Sequence, residues 1–150
     1  MDWLGLLHIS TAVLALSSGA VVVLRPKGTR THRNTGRLYF ASMLAMNISA
    51  LSIYDLFCGF GPFHAAAIIS LFTVLMGVRS AWLRHKGWRI AHAYWMSWSY
   101  VGLLAAAVSE SATRYFDFDF GLSVAVATVA VVVVGANVIR RRLPPLLGLN

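Results

Sequence analysis

The chain has 150 residues, of which 58% are hydrophobic and only 12% are charged. A soluble globular domain carries roughly 25% charged residues, so this composition excludes an ordinary soluble fold and favours an integral membrane protein. The net charge of +8 would suit a nucleic-acid partner, but the basic residues lie in short islands between long apolar runs. No nucleic-acid partner is therefore expected.

Five apolar segments are each long enough to cross a bilayer, for which a helix needs about 20 residues. In chain order they predict helices over residues 3–24, 38–57, 63–83, 90–109 and 120–139. Backbone groups in lipid must be hydrogen-bonded within the segment, so even the valine-rich fifth segment is expected to be a helix. The sequence thus predicts an all-α integral membrane protein with five transmembrane helices and a single domain over residues 1–150.

A very short turn joins the second and third segments in an antiparallel hairpin, and the first four segments are expected to form an antiparallel four-helix core. The fifth segment has neither histidine nor acid within its apolar span, and is expected to be a peripheral helix that faces lipid. In the second segment, Ala41, Ala45 and Ser49 form a stripe of small residues that permits close helix contact. The sequence leaves a homodimer open.

Basic and acidic residues fall at opposite ends of the predicted helices. Twelve of the thirteen Lys and Arg residues lie between segments one and two, between three and four or in the last turns of three, or after five, whereas the acids lie at the other ends: Asp2, Asp55, Glu110, Asp117 and Asp119. The positive-inside rule assigns the basic ends to the cytoplasm, where they meet anionic lipid head groups. We therefore expect a multi-pass protein of the bacterial inner membrane with its N-terminus outside and its C-terminus in the cytoplasm.

Four of the five histidines fall at two depths on this topology. His8 and His64 lie near the outer ends of helices one and three, whereas His32 precedes helix two and His92 lies in the first turn of helix four. In an up-down bundle, helices one and three are diagonal neighbours, and so are two and four. Each diagonal then carries two histidines at one depth, which is the geometry of a b-type haem held by two axial imidazoles.

Two other interpretations stay open. Two histidines and two carboxylates at the outer ends would suit zinc with a bound water, in a membrane hydrolase or metal-binding protein; these residues are His8, His64, Asp55 and Glu110. They lack a close local spacing. The third interpretation is that the histidines are structural, because His32 and His85 lie in basic loops where a histidine is most often solvated or bound to lipid phosphate.

Two motifs carry a family resemblance. The run His32-Arg33-x-x-Gly36-Arg37-x-Tyr39 follows the helix that contains His8, and His92-x-x-Trp95-Met96 opens helix four. In these motifs the sequence resembles the bacterial membrane-protein family catalogued as domain of unknown function 2306, over roughly the first 110 residues. That family usually has arginine directly after the helix-four histidine, where this chain has Ala93. The histidine layout is also similar to that of the two-haem transmembrane cytochromes b of the b-561 type, in which each of four core helices gives one ligand.

We therefore expect a transmembrane b-type cytochrome with one or two haems, a membrane oxidoreductase. His8 and His64 would ligate an outer haem, and His32 and His92 an inner one. The propionates of the inner haem would be held by three arginines, Arg33, Arg37 and Arg89. Electrons would pass from a quinol or a cytoplasmic reductase to an acceptor outside, so the expected partners are the lipid bilayer and a quinone or redox protein. Zinc at the outer group is the alternative cofactor.

Overall fold

A computed structural model describes residues 3–54, 59–115 and 119–148. The secondary structure of these residues is helical, and its five helices are α1 (Trp3–Leu24), α2 (Arg30–Ser52), α3 (Pro62–Leu83), α4 (Trp88–Tyr115) and α5 (Phe120–Leu146). The prediction of an all-α protein with five helices is confirmed for this part of the chain. Asp2, Asp55 and Asp117, which entered the charge argument, lie outside the described residues.

Three of the helices are long and apolar enough to cross a membrane. Among the described residues these spans are Trp3–Leu24, Pro62–Leu83 and Phe120–Pro145. The helices α2 and α4 are less apolar. In α2 the first turns carry arginines, and its packed face buries polar side chains such as Asn47 and Ser49. The protein therefore has several membrane-competent helices, and their exposed leucines and valines are suited to contact with a lipid bilayer.

The predicted start of α2 is wrong. The helix begins at Arg30 rather than at residue 38, because Thr29 is its N-cap: its backbone is extended and its hydroxyl oxygen accepts the backbone N–H of His32 at 3.1 Å. His32 therefore lies in the first turn of α2 instead of preceding it. Hydropathy marks the part of a helix that suits lipid, and the arginine-rich turn before it is helical as well.

The helices α4 and α5 are likewise longer than the apolar segments from which they were predicted. The helix α4 runs over Trp88–Tyr115 rather than 90–109, and α5 runs to Leu146 rather than to residue 139. Arg140, Arg141 and Arg142 are thus helical, and two prolines lie within the last turn of α5. The end of the helix is closed by the backbone N–H of Leu147, which donates to the carbonyl of Leu143 at 3.1 Å.

The described contacts divide the chain into two compact units, Met1–Val74 and Leu75–Asn150. In the first unit, α1 and α2 are antiparallel, since His8 near the start of α1 contacts Ser49 near the end of α2. The buried residues of α1 are Ala15, Ser18 and Gly19. Small residues at a helix pair allow close backbone approach.

In the second unit, α4 and α5 are antiparallel. The hydroxyl oxygen of Ser109, late in α4, lies 3.0 Å from that of Thr128, early in α5. A buried cluster of Val101, Ile139 and Leu143 holds the opposite end of the pair. The predicted four-helix core and the single domain both include helices of the two units, and both stay predictions.

Candidate functional site

The imidazole of His8 is half-buried and bound to α2. Its Nδ1 lies 3.1 Å from Ser49 Oγ and 3.3 Å from the carbonyl oxygen of Met46. The Ser49 hydroxyl itself donates to that Met46 carbonyl at 2.8 Å. A carbonyl oxygen only accepts, and the Ser49 hydroxyl donates to Met46, so these contacts favour a proton on Nδ1 of His8. The singly protonated form of such a ring has its lone pair on Nε2.

His92 has the same arrangement in the second unit. Its Nδ1 donates to the carbonyl oxygen of Gly77 in α3 at 2.8 Å. Gly77 allows this close approach, because a Cβ at that position would lie 2.5 Å from Met96 Sδ and 3.4 Å from the Met96 backbone nitrogen. A carbonyl oxygen only accepts, so Nδ1 of His92 is the donor, and the singly protonated form of the ring has its lone pair on Nε2.

These two anchors match what metal-ligating histidines usually show. Such a histidine donates its other ring N–H to a carbonyl or carboxylate, which fixes the tautomer and the orientation of the ring. The acceptors on Met46, Ser49 and Gly77 were missed at the sequence level. Part of the signal was present, since Ser49 belongs to the stripe of small residues and Gly77 is the one glycine within α3.

His64 is arranged differently. It is only 3% exposed, and its Nδ1 accepts the backbone N–H of Gly61 at 3.1 Å. The backbone N–H of His64 in turn donates to the Gly61 carbonyl at 3.0 Å. The first of these bonds is the N3 half of a capping box at the start of α3, in which the side chain of the third helical residue accepts the N-cap N–H.

The cap determines the tautomer of His64. Because Nδ1 accepts, the proton of the neutral ring sits on Nε2, which is buried and has no hydrogen-bond partner among the described residues. The rings of Tyr54 and Phe60 contact the imidazole with centroids 4.6 Å and 5.3 Å away. Coordination of iron by Nε2 would require this proton to leave and the Gly61 bond to be given up. The ligand role of His64 stays a prediction.

The family described as "Predicted membrane protein (DUF2306)" matches residues 5–147. The chain belongs to this family. The match extends from the first turn of α1 to the end of α5, and so includes all five helices rather than the first four alone. No curated protein and no solved structure matches the chain. The DUF2306 description states a membrane location and no chemistry, so the roles of individual residues have to be argued from their geometry.

The inner histidine pair of this DUF2306 member is divided between the units. His32 belongs to the first unit and His92 to the second, so their pairing stays a prediction. Of the arginines predicted at the propionates, Arg33 donates from Nη1 to the Gly28 carbonyl at 3.1 Å. Arg37 is exposed, and so is Arg89, whose guanidinium lies against the ring of Trp88.

The predicted zinc group is likewise divided. Among residues 3–54, 59–115 and 119–148, no three His, Cys, Asp or Glu side chains come together in a way that could hold a metal ion. Asp55 lies outside the described residues, and Glu110 belongs to the second unit whereas His8 and His64 belong to the first. The zinc site stays a prediction.

In the basic turn after α1, Lys27 binds the last carbonyl groups of that helix. Lys27 Nζ donates to the carbonyls of Val22 and Val23 at 2.7 Å each, and to that of Arg25 at 3.2 Å. The last carbonyls of a helix have no partner within it, and a cation near them also suits the helix dipole. Lys27 is therefore the C-terminal cap of α1. Partial burial lowers the pKa of its ammonium below the ordinary value of 10.5.

Proposed function

We propose that this DUF2306 member is a transmembrane b-type cytochrome. The observation that carries the proposal is the shared tautomer of His8 and His92. Each ring is anchored through Nδ1–H to a backbone carbonyl of a neighbouring helix, and the singly protonated form of such a ring has its lone pair on Nε2. A neutral imidazole with an anchored Nδ1–H is the form in which histidine binds haem iron.

The proposal includes five membrane-spanning helices. The helices α1, α3 and α5 are apolar enough to cross on their own. The helix α2 lies antiparallel along α1, and α4 lies antiparallel along α5, so a partner that crosses the bilayer brings the less apolar helix with it. With the basic turns in the cytoplasm, the N-terminus is outside and the C-terminus inside a bacterial inner membrane.

This topology assigns His8 to an outer haem and His92 to an inner one. His64 and His32 are the proposed second ligands, as in the layout of the b-561 type cytochromes. Haem supplies one-electron chemistry when it is bound. The chain would fix the orientation of the imidazoles through their helix–helix hydrogen bonds and exclude water with the apolar faces of its helices. The proposed electron donors are a quinol or a cytoplasmic reductase.

The test replaces each anchored histidine by asparagine. The Asn side-chain amide can donate from near the position of Nδ1, so His8→Asn and His92→Asn retain the helix–helix hydrogen bond and remove Nε2. In protein purified from haem-replete cells, each variant is expected to lose about half of the Soret absorbance of a two-haem protein, and the double variant all of it. His85→Asn, in the exposed α3–α4 turn, is the matched control and should leave the spectrum unchanged.

If both variants keep the full haem content, His8 and His92 are not haem ligands. Wild-type protein without haem, from cells that load another b-type cytochrome under the same conditions, would overturn the proposal itself. Elemental analysis of the same preparation then tests the alternative, since zinc at a constant ratio to protein would favour the metal-binding interpretation.

A further inference from the structure

Two arginines flank one tryptophan at the turn between α3 and α4. The Cζ atom of Arg84 lies 5.8 Å from the centroid of the Trp88 ring, and that of Arg89 lies 5.6 Å from it. Both arginines are exposed and Trp88 is half-buried. Cation–π contacts at these distances hold the two guanidinium groups near the same ring. We call Arg84, Trp88 and Arg89 the arginine–tryptophan cluster.

The backbone of Arg84 is in the left-handed region, with φ of 50°. The residue closes α3, and its N–H donates to the Ser80 carbonyl at 3.2 Å. Glycine is the usual residue at such a helix end, because a side chain disfavours this conformation. An arginine in this conformation therefore strains the backbone. Such strain is concentrated at functional sites, which suggests a role for the Arg84 side chain.

The sequence around the cluster, over residues 80–94, contains no acidic residue. The first turn of α4 has no acidic residue, and the adjacent His85 and Lys86 add further basic groups. The turn between α1 and α2 differs, because Lys27 and Arg33 there bind backbone carbonyls. For Arg84 and Arg89, the contact that the structure describes is the Trp88 ring. A partner with negative charge has to come from outside this turn.

We propose that the arginine–tryptophan cluster binds the phosphate of an anionic phospholipid such as phosphatidylglycerol. A guanidinium group matches phosphate oxygens through two parallel hydrogen bonds. The cluster follows the end of the apolar helix α3, next to Trp82, which is 83% exposed. Tryptophan is typical of the membrane interface, where lipid phosphates lie. The cluster thus combines the depth, the charge and the planar donors that a lipid phosphodiester requires, independently of any haem.

Native mass spectrometry of the detergent-solubilised full-length protein tests this proposal, with phosphatidylglycerol and phosphatidylcholine as probes. Arg84→Gln and Arg89→Gln are each expected to weaken phosphatidylglycerol binding about fivefold, the effect of about one juxtamembrane cation. Phosphatidylcholine binding should stay unchanged. The matched control is Arg141→Gln, which removes the same charge from the exposed end of α5 and should leave the cluster occupied.

Arg84→Gly separates lipid binding from folding. Glycine suits the backbone at this position, so the variant is expected to be at least as stable as the wild type and still to bind phosphatidylglycerol about fivefold more weakly. Three results would overturn the proposal: unchanged lipid binding in Arg84→Gly, an equal loss in Arg141→Gln, or displacement of the lipid by an equal concentration of inorganic phosphate. The last result would identify a phosphate site without lipid preference.

Discussion

The Nδ1 atom of His92 lies 2.8 Å from the carbonyl oxygen of Gly77, so one hydrogen bond both links α4 to α3 and fixes the tautomer of the histidine. At this contact a Cβ on residue 77 would lie 2.5 Å from the flexible Met96 Sδ, so a larger residue there would require the Met96 side chain to move. The hydrogen bond to Gly77 therefore uses Nδ1 of His92, whereas the proposed iron ligand is Nε2 on the other side of the ring. A substitution can remove one of these interactions and retain the other.

His92→Asn and His92→Gln are expected to differ in stability. Asn can donate from near the Nδ1 position and keep the bond to Gly77, whereas the longer Gln places its amide near the Nε2 position and leaves that carbonyl. The Gln variant should be the less stable by about 1 kcal/mol, the usual net value of one hydrogen bond. Thermal unfolding in detergent measures the difference, and equal melting temperatures would show that the Gly77 bond contributes nothing.

His64 is predicted to tolerate glutamine better than leucine. Gln is a regular third residue of a capping box, and its carbonyl oxygen can accept the Gly61 N–H as the imidazole does. His64→Gln should therefore keep the melting temperature of the wild type, and His64→Leu should lower the stability by about 1 kcal/mol. The haem spectrum of the stable Gln variant then tests coordination. Loss of the outer haem supports His64 as a ligand, and its retention leaves His64 as a helix cap.

Gly135→Ala is expected to weaken the pairing of α5 with α4. A Cβ at that position would lie 2.6 Å from both methyl groups of Val101, and a β-branched side chain has little freedom to move. Overpacking of this kind costs about 1–3 kcal/mol. Gly102→Ala in α4 is the control, because a Cβ there meets nothing within 4 Å, and it should be neutral or stabilising. Similar melting temperatures for the two variants would contradict the close contact.

Removal of the ammonium that caps α1 should lower stability. Lys27→Met retains an unbranched side chain of similar length and leaves the Val22 and Val23 carbonyls without their donor. A loss of about 1 kcal/mol is expected. Lys86→Met, at an exposed lysine in the α3–α4 turn, removes the same charge and should change little. If both variants lose the same stability, charge rather than the cap is responsible.

The proposed topology predicts opposite accessibility for the two turns that flank α3. In a Cys58→Ser background, Phe60→Cys should react with a membrane-impermeant maleimide added to intact spheroplasts, and Lys86→Cys should react only after lysis. Phe60 is 66% exposed and Lys86 is exposed, so burial does not confound the result. Labelling of both from one side would show that α3 does not cross the membrane.

The sequence predicted helices best where an apolar run and a helix share their ends. This holds for α1, because Pro26 and Gly28 follow it closely. It fails for α2, because Thr29 starts the helix within the arginine-rich stretch. The candidate histidines were visible in the sequence, but their tautomers were not. The acceptor of His8 lies 38 residues away on Met46 and that of His92 lies 15 residues away on Gly77, so each is set by tertiary packing.

Gly77 and Gly135 both lie close to a side chain of α4, and the two positions are expected to vary differently among members of the family. Gly77 meets the flexible thioether of Met96, which can swing aside, whereas Gly135 meets the rigid isopropyl group of Val101. Family members should therefore accept alanine or serine at position 77 on its own. At position 135 a larger residue should appear together with alanine or glycine at position 101, so that these two positions covary while positions 77 and 96 drift independently.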